Sequence, residues 1–294
     1  MIGTVIVPLD GSELAAQVLP YAQAIAEKSN VPLQLVWVVP EDGPASAKEE
    51  AQTYLRQQAD AIGARAQISV RMGHPGEQIV NAAYEATGPL IVMATHGRSG
   101  LSRLFSGSVA EHVVSESGAP VFLIRHETKD RQDGLVHTIA VPLDGSVYAE
   151  AALPYAKELA RDFDAELMLV RVAETSQVYS MMSPEPVGAA SAEAINEVTE
   201  QLVSETREYL ETTAAALRAE GFNVKTEALE GFPADQLMAL ERQLAVNVIV
   251  MATHGRSGLG RIVFGSVADR ILKNGTTPIL MIKPSGEINE EKKG

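Results

Sequence analysis

Thr4 to Ser12 reads TVIVPLDGS, and Thr138 to Ser146 reads TIAVPLDGS. The two stretches stand 134 residues apart. A longer pair, IVMATHGRSGL at 91–101 and again without change at 249–259, stands 158 apart. Self-similarity at this scale marks a duplicated unit, so the chain reads as two copies of one module. Gly73-His74-Pro75 and Gly231-Phe232-Pro233 already carry the larger offset. The 24 extra residues of the second copy therefore fall upstream of Gly231, between Ala173 and Phe222.

Within the first copy, short β-branched runs near 4–9, 32–39, 66–71, 89–95 and 120–125 alternate with helical patterns near 13–29, 46–62, 76–87 and 108–117. Runs such as LQLVWVV at 33–39 and PLIVMA at 89–94 are almost wholly apolar, as strands are when helices cover both faces of a parallel sheet. Each half is then an α/β, doubly wound open sheet. Such sheets take ligands outside the carboxyl ends of their strands, where the strand order reverses. That rule singles out two segments per copy, the turn after the first strand and the loop after the fourth. The expected boundaries are 1–126 for the first domain, 127–137 for a charged, Gly-containing linker, 138–284 for the second domain and 285–294 for a charged tail. So short a linker implies that the two domains pair within the chain. In the second copy a long helix is expected from about Ser191 to Glu220.

With 294 residues, 46% hydrophobic and 21% charged, the chain has room for two cores and the composition of an ordinary globular protein. Its net charge of −14 opposes nucleic acid and anionic membrane as partners. The absence of cysteine excludes disulfides, thiolate metal sites and cysteine nucleophiles. Met1 leads straight into a strand with no basic signal region, and no apolar run approaches a membrane span. The expected location is the cytoplasm.

The loop after the fourth strand holds Gly97, Gly107 and Ser108, matched in the second copy by Gly255, Gly265 and Ser266. Glycines let backbone N–H groups approach an anion, and a serine at a helix start both caps the helix and offers its hydroxyl. The dipole of that helix start favours negative charge. His96, Arg98 and Arg103, with their counterparts His254, Arg256 and Arg261, concentrate positive charge in an otherwise acidic chain. The competing reading is a plain turn and cap with solvated arginines. In the first loop, Pro8-Leu9-Asp10-Gly11-Ser12 and Pro142-Leu143-Asp144-Gly145-Ser146, the aspartates suit an amino group, a ribose hydroxyl or a Mg²⁺ held through water. Asp and Ser equally suit turn and cap work. No G-x-x-x-x-G-K-[ST], H-x-G-H or H-E-x-x-H motif occurs. His96 and His254 read as groups that shape the loop or touch phosphate rather than as general bases.

These residues, VPLDGS together with MATHGRSGL and GSVA, resemble the universal stress protein family, here as a tandem of two domains. The resemblance covers nearly the whole chain. It implies a five-stranded parallel sheet of order 3-2-1-4-5 in each half, of the adenine nucleotide α-hydrolase-like kind, with the fifth-strand edge pairing the domains. A homodimer is kept open beside that. The ATP-binding branch carries G-x-x-G, nine residues, then G-[ST]; Gly97 with Gly107-Ser108 and Gly255 with Gly265-Ser266 match, while Ala94 and Ala252 replace the first glycine. That added methyl bears on affinity more than on the identity of the ligand. By the same resemblance Asp10 and Val38 meet adenosine, and Gly97, Arg98, Gly107, Ser108 and Val109 meet ribose and phosphates. Asp144, Val172, Gly255, Arg256, Gly265, Ser266 and Val267 do so in the second copy, with Pro8, Ser12, Pro142 and Ser146 flanking. The leading expectation is an ATP-binding stress-response protein acting as a nucleotide-dependent switch. The alternatives are a slow ATPase or phosphate-transferring enzyme using Asp10 and Asp144 for Mg²⁺, and a ligand-free interaction module presenting Tyr179, Met181 and Met182.

Overall fold

Strand β1 (Thr4–Pro8) starts the first half. It is followed by α1 (Glu13–Ala16), α2 (Leu19–Lys28), β2 (Leu33–Val39), α3 (Ala47–Ile62), β3 (Ala66–Met72), α4 (Pro75–Glu85), β4 (Pro89–Ala94), α5 (Ser108–Glu116) and β5 (Val121–Ile124). The second half repeats the order as β6 (Thr138–Pro142), α6 (Val147–Glu150), α7 (Leu153–Phe163), β7 (Glu166–Ala173), α8 (Ala192–Ala219), β8 (Val224–Glu230), α9 (Pro233–Gln243), β9 (Val248–Ala252), α10 (Ser266–Asn274) and β10 (Ile279–Ile282). The structure, a computed structural model, describes residues 1–63, 66–95, 108–125, 136–175, 192–244, 246–255 and 264–284. Most of the expected linker, the charged tail and the Tyr179–Met182 segment lie outside the described residues. Among the described residues no helix is long and apolar enough to cross a membrane.

One difference from the sequence reading has a local cause. The single helix expected over 13–29 is split into α1 and α2, because Pro20 sits in the first turn of α2 and cannot donate the bond that would continue α1. Pro154 splits α6 from α7 in the same way. Part of the insertion in the second copy is plain: α8 has 28 residues where α3 has 16.

Each half has the strand order 3-2-1-4-5, with every pair inside a half parallel. The two expected sheets are not separate. β5 pairs antiparallel with β10, through Phe122 opposite Leu280, and the order β3-β2-β1-β4-β5-β10-β9-β6-β7-β8 forms one ten-stranded sheet. All four residues of β5 and all four of β10 are buried. Alternating side chains send Val5 and Val7 into the core on one face and Ile6 into the core on the other, and both cores contain residues of both halves.

Polar contacts also cross this seam. Arg125, just past β5, donates to the carbonyls of Ile271 and Gly275 at the end of α10. Lys283, just past β10, donates to the carbonyl of Ser115 at the end of α5. The last carbonyls of a helix carry the negative end of its dipole, so a cation there is favourable. On the α2 and α7 side, Ser29 donates to Asp162 at 2.5 Å, and the backbone N–H of Ile2 donates to Glu158 at 2.5 Å. Val136 is buried in the core, and Asn247 Oδ1 accepts the N–H groups of His137 (3.1 Å) and Thr138 (2.8 Å) at the entry to β6.

Phe122→Ala should lower stability by about 3–5 kcal/mol. Arg125→Ala should lower it by about 1–2 kcal/mol, since its bonds are charge-assisted but only partly buried. Denaturant unfolding with fitted midpoints measures both; equal and negligible effects would contradict a seam built as described.

Candidate functional site

At the end of β6 the chain turns through Leu143-Asp144-Gly145-Ser146. Gly145 has φ +85°, in the left-handed region that favours glycine. Asp144 Oδ1 accepts the N–H (2.9 Å) and hydroxyl (2.6 Å) of Ser146. Ser146 Oγ in turn accepts the N–H of Ala149 at 3.1 Å and caps α6. The first copy repeats this arrangement, with Asp10 Oδ1 accepting from Ser12 N–H (3.0 Å) and hydroxyl (2.6 Å), Ser12 Oγ accepting from Ala15 N–H (3.1 Å), and Gly11 at φ +81°. One oxygen of each aspartate and both serine hydroxyls thus hold the turn. Asp144 Oδ2 faces across the point where strand order reverses, toward the loop after β9. A Cβ built on Gly255 would lie 2.1 Å from it.

These two loops bound a cavity of about 410 Å³ in the second half. The first strand contributes Pro142 and Asp144, and β7 contributes Val170, Val172 and, just past it, Glu174. Ala252, Thr253, His254 and Gly255 follow from β9, and Gly265, Ser266 and Val267 form the helix start opposite. Phe232, Pro233 and Leu237, at the start of α9, complete the wall with Arg270. The volume is in the range of small-ligand sites. Nine of the second-copy residues singled out in the sequence, His254 among them, therefore share one cavity. Ser146 lies behind it as a cap, and Arg256 lies outside the described residues.

Gly265 is the N-cap of α10, with φ −63° and ψ 156°, and its N–H donates to the carbonyl of Thr253 at 2.8 Å. A Cβ there would meet nothing nearer than that carbonyl at 3.4 Å, an ordinary contact. The N–H groups of Ser266 and Val267 precede the first intrahelical acceptors and stand at the positive end of the helix. Buried His254 places Nδ1 3.0 Å from Thr253 Oγ1. Arg270 is paired with Asp235 at 2.5 Å. Among the described residues no group of three or more His, Asp or Glu could hold a metal ion.

In the first half, Pro8 and Asp10 end β1, Val38 lies in β2, Ala94 ends β4, and Ser108 and Val109 start α5. Gly97, Arg98 and Gly107 lie outside the described residues, as do His96, Arg103 and Arg261. Behind the turns the halves differ. Trp37 meets Tyr54 edge-on at 5.2 Å, whereas Arg171 lies 4.7 Å above the ring of Tyr209, whose hydroxyl donates to Glu150 at 2.7 Å. Burial first, then the charge of Asp10, raises the Tyr54 phenol pKa; burial first, then Glu150, raises that of Tyr209 further.

The sequence reading missed Phe232, Leu237, Glu174 and Arg270. Gly231-Phe232-Pro233 had served there only to locate the insertion. A proline opening a helix after a parallel strand already marks a position at the ligand-binding end of the sheet.

The chain is similar in sequence and fold to known proteins. The family model described as the universal stress protein family matches residues 1–125 and again 136–283. A universal stress protein of Methanocaldococcus jannaschii is 32% identical over 151 residues, 51% of this chain and 84% of that protein. One from Mycobacterium tuberculosis is 24% identical over 301 residues, 96% of this chain and 97% of its own. The crystal structure of a universal stress protein from Archaeoglobus fulgidus superposes with a TM-score of 0.70 at 21% identity, covering 96% of this chain and 97% of that one, a likeness of fold. With the family pattern present in both halves, the chain belongs to the universal stress protein family as a tandem of two such domains.

Proposed function

We propose that this chain is a stress-response protein that binds an adenine nucleotide, ATP, in its glycine-loop sites, and that the bound nucleotide sets the conformation or pairing of the two halves. The observation that carries the reading is the contrast between two glycines. Gly255 answers to the protein itself, since a Cβ there would displace Oδ2 of Asp144, whose carboxylate is held through Oδ1 by Ser146. Gly265 has ordinary backbone angles and room for a methyl group, so its bare face answers to something that enters the cavity beside the N–H groups of α10. Phosphate is the group that such a helix start favours.

When bound, the nucleotide brings negative charge to the start of α10. Asp144 Oδ2 stands across the cavity as an acceptor for a ribose hydroxyl or a water of a phosphate-held Mg²⁺. Val172 and Leu237 offer apolar surface, and Ala252 narrows the path beside the cradle by one methyl group. Binding without fast turnover is supported by what the polar groups already do. Asp144 Oδ1 is held by Ser146, and His254 Nδ1 faces Thr253. A switch is supported by α10 itself, which begins at the cavity and ends at carbonyls held by Arg125 of the other half.

Purified protein, denatured and analysed by mass spectrometry, should release adenine nucleotide, and calorimetry should register ATP binding at or below millimolar concentration. No nucleotide and no heat would end the reading. Gly107→Val/Gly265→Val should abolish binding. In a separate thermal-unfolding comparison, Gly255→Ala should cost about 1–3 kcal/mol through its clash. Gly265→Ala should cost under about 1 kcal/mol.

A further inference from the structure

Resting on the nucleotide reading above, we infer that Phe232 is the base-stacking platform of the second-copy site, and that it makes this site read the base as well as the phosphates. The cavity runs along four neighbouring strand ends in the order β9, β6, β7, β8. The helix-start cradle follows β9, Asp144 follows β6, Val172 and Glu174 stand at the end of β7, and Phe232 follows β8. Three strand spacings separate the two ends, about 14 Å. A ligand whose phosphates sit at Gly265-Ser266 and whose ribose passes Asp144 therefore carries its far end toward Phe232.

Among the described residues nothing calls for an aromatic ring at this position. Phe232 is the N-cap of α9, a place that favours Ser, Thr, Asp or Asn, and it makes no side-chain capping bond. Its side chain is 59% exposed. Among the described residues the other strongly exposed aromatic is Tyr84, and that one spends its hydroxyl on the carbonyl of Glu116 at 2.9 Å. Phe232 has only its π-face to offer, at the mouth of a cavity whose adjoining wall, Val172, Leu237 and Met251, is apolar. A flat heteroaromatic ring fits there, stacked on one side by Phe232, with Glu174 lining the same end of the cavity. Position 74 of the first copy, the counterpart of 232, is histidine. The two sites of one chain therefore differ at their base ends.

The test uses the full chain, with ATP and inorganic tripolyphosphate as parallel probes. Phe232→Ala should weaken ATP at one site about tenfold, the usual order for losing an aromatic under a base, and leave tripolyphosphate binding unchanged. Its thermal unfolding should match that of the unaltered chain. Phe232→Trp should bind ATP as the unaltered chain does, and ATP, but not tripolyphosphate, should quench its emission beyond that seen with Trp37 alone. If the unaltered chain binds ATP while Phe232→Ala binds it equally well and the added emission of the Phe232→Trp variant stays unmoved, the platform is refuted and the nucleotide reading survives. Failure of the unaltered chain to bind any nucleotide overturns both.

Discussion

The antiparallel pairing of β5 with β10 is the constraint on which the rest of the molecule depends. Each is the last strand of its half, and each carries only large apolar side chains. Left unpaired, each would be an apolar sheet edge open to any other strand. Joined, they bury one another and extend both core layers through the whole chain. Arg125 and Lys283 then cross the seam in opposite senses, each ending on the carbonyls of the other half's last helix. In the second half that helix also starts at the candidate site, so seam and site are connected there by a single helix.

The site itself divides labour within single residues. One oxygen of Asp144 is a structural acceptor that fixes the turn, and the other faces the loop across the sheet. Turn-making and ligand-binding roles for Asp and Ser, which compete on paper, are both compatible with the geometry because a carboxylate has two oxygens. Ser146 and Ser12 fall on the structural side, since their hydroxyls are used twice over. The glycines divide as well, Gly255 serving the approach of its own neighbour and Gly265 standing clear of the protein.

The alternation of strands and helices and the two loops were legible in the sequence because they rest on short-range signals: apolar runs of strand length, a turn glycine, a serine before a helix. The duplication showed in repeated motifs, and the strand order came only with the family resemblance. Pro20 and Pro154 carried an equally local signal for the broken first helix, overridden by the longer apolar periodicity on either side. The fused sheet was foreshadowed only as a pairing edge. Arg125 and Lys283 read as charges next to a linker and a tail, since nothing local says that each reaches a helix end 146 to 168 residues away. Phe232 escaped for a similar reason. An aromatic before a proline has no meaning until β8 is placed beside β7 at the end of the cavity.

The antiparallel seam has a geometric consequence for anything that must read both sites. Strands within each half run parallel, and the two halves run in opposite directions, so the carboxyl ends of the two sets of strands emerge on opposite rims of the ten-stranded sheet. The two candidate sites thus look away from each other, like doors on opposite sides of a house. A small ligand at one rim does not reach the other. Whatever one site reports to the other has to travel through the sheet between them.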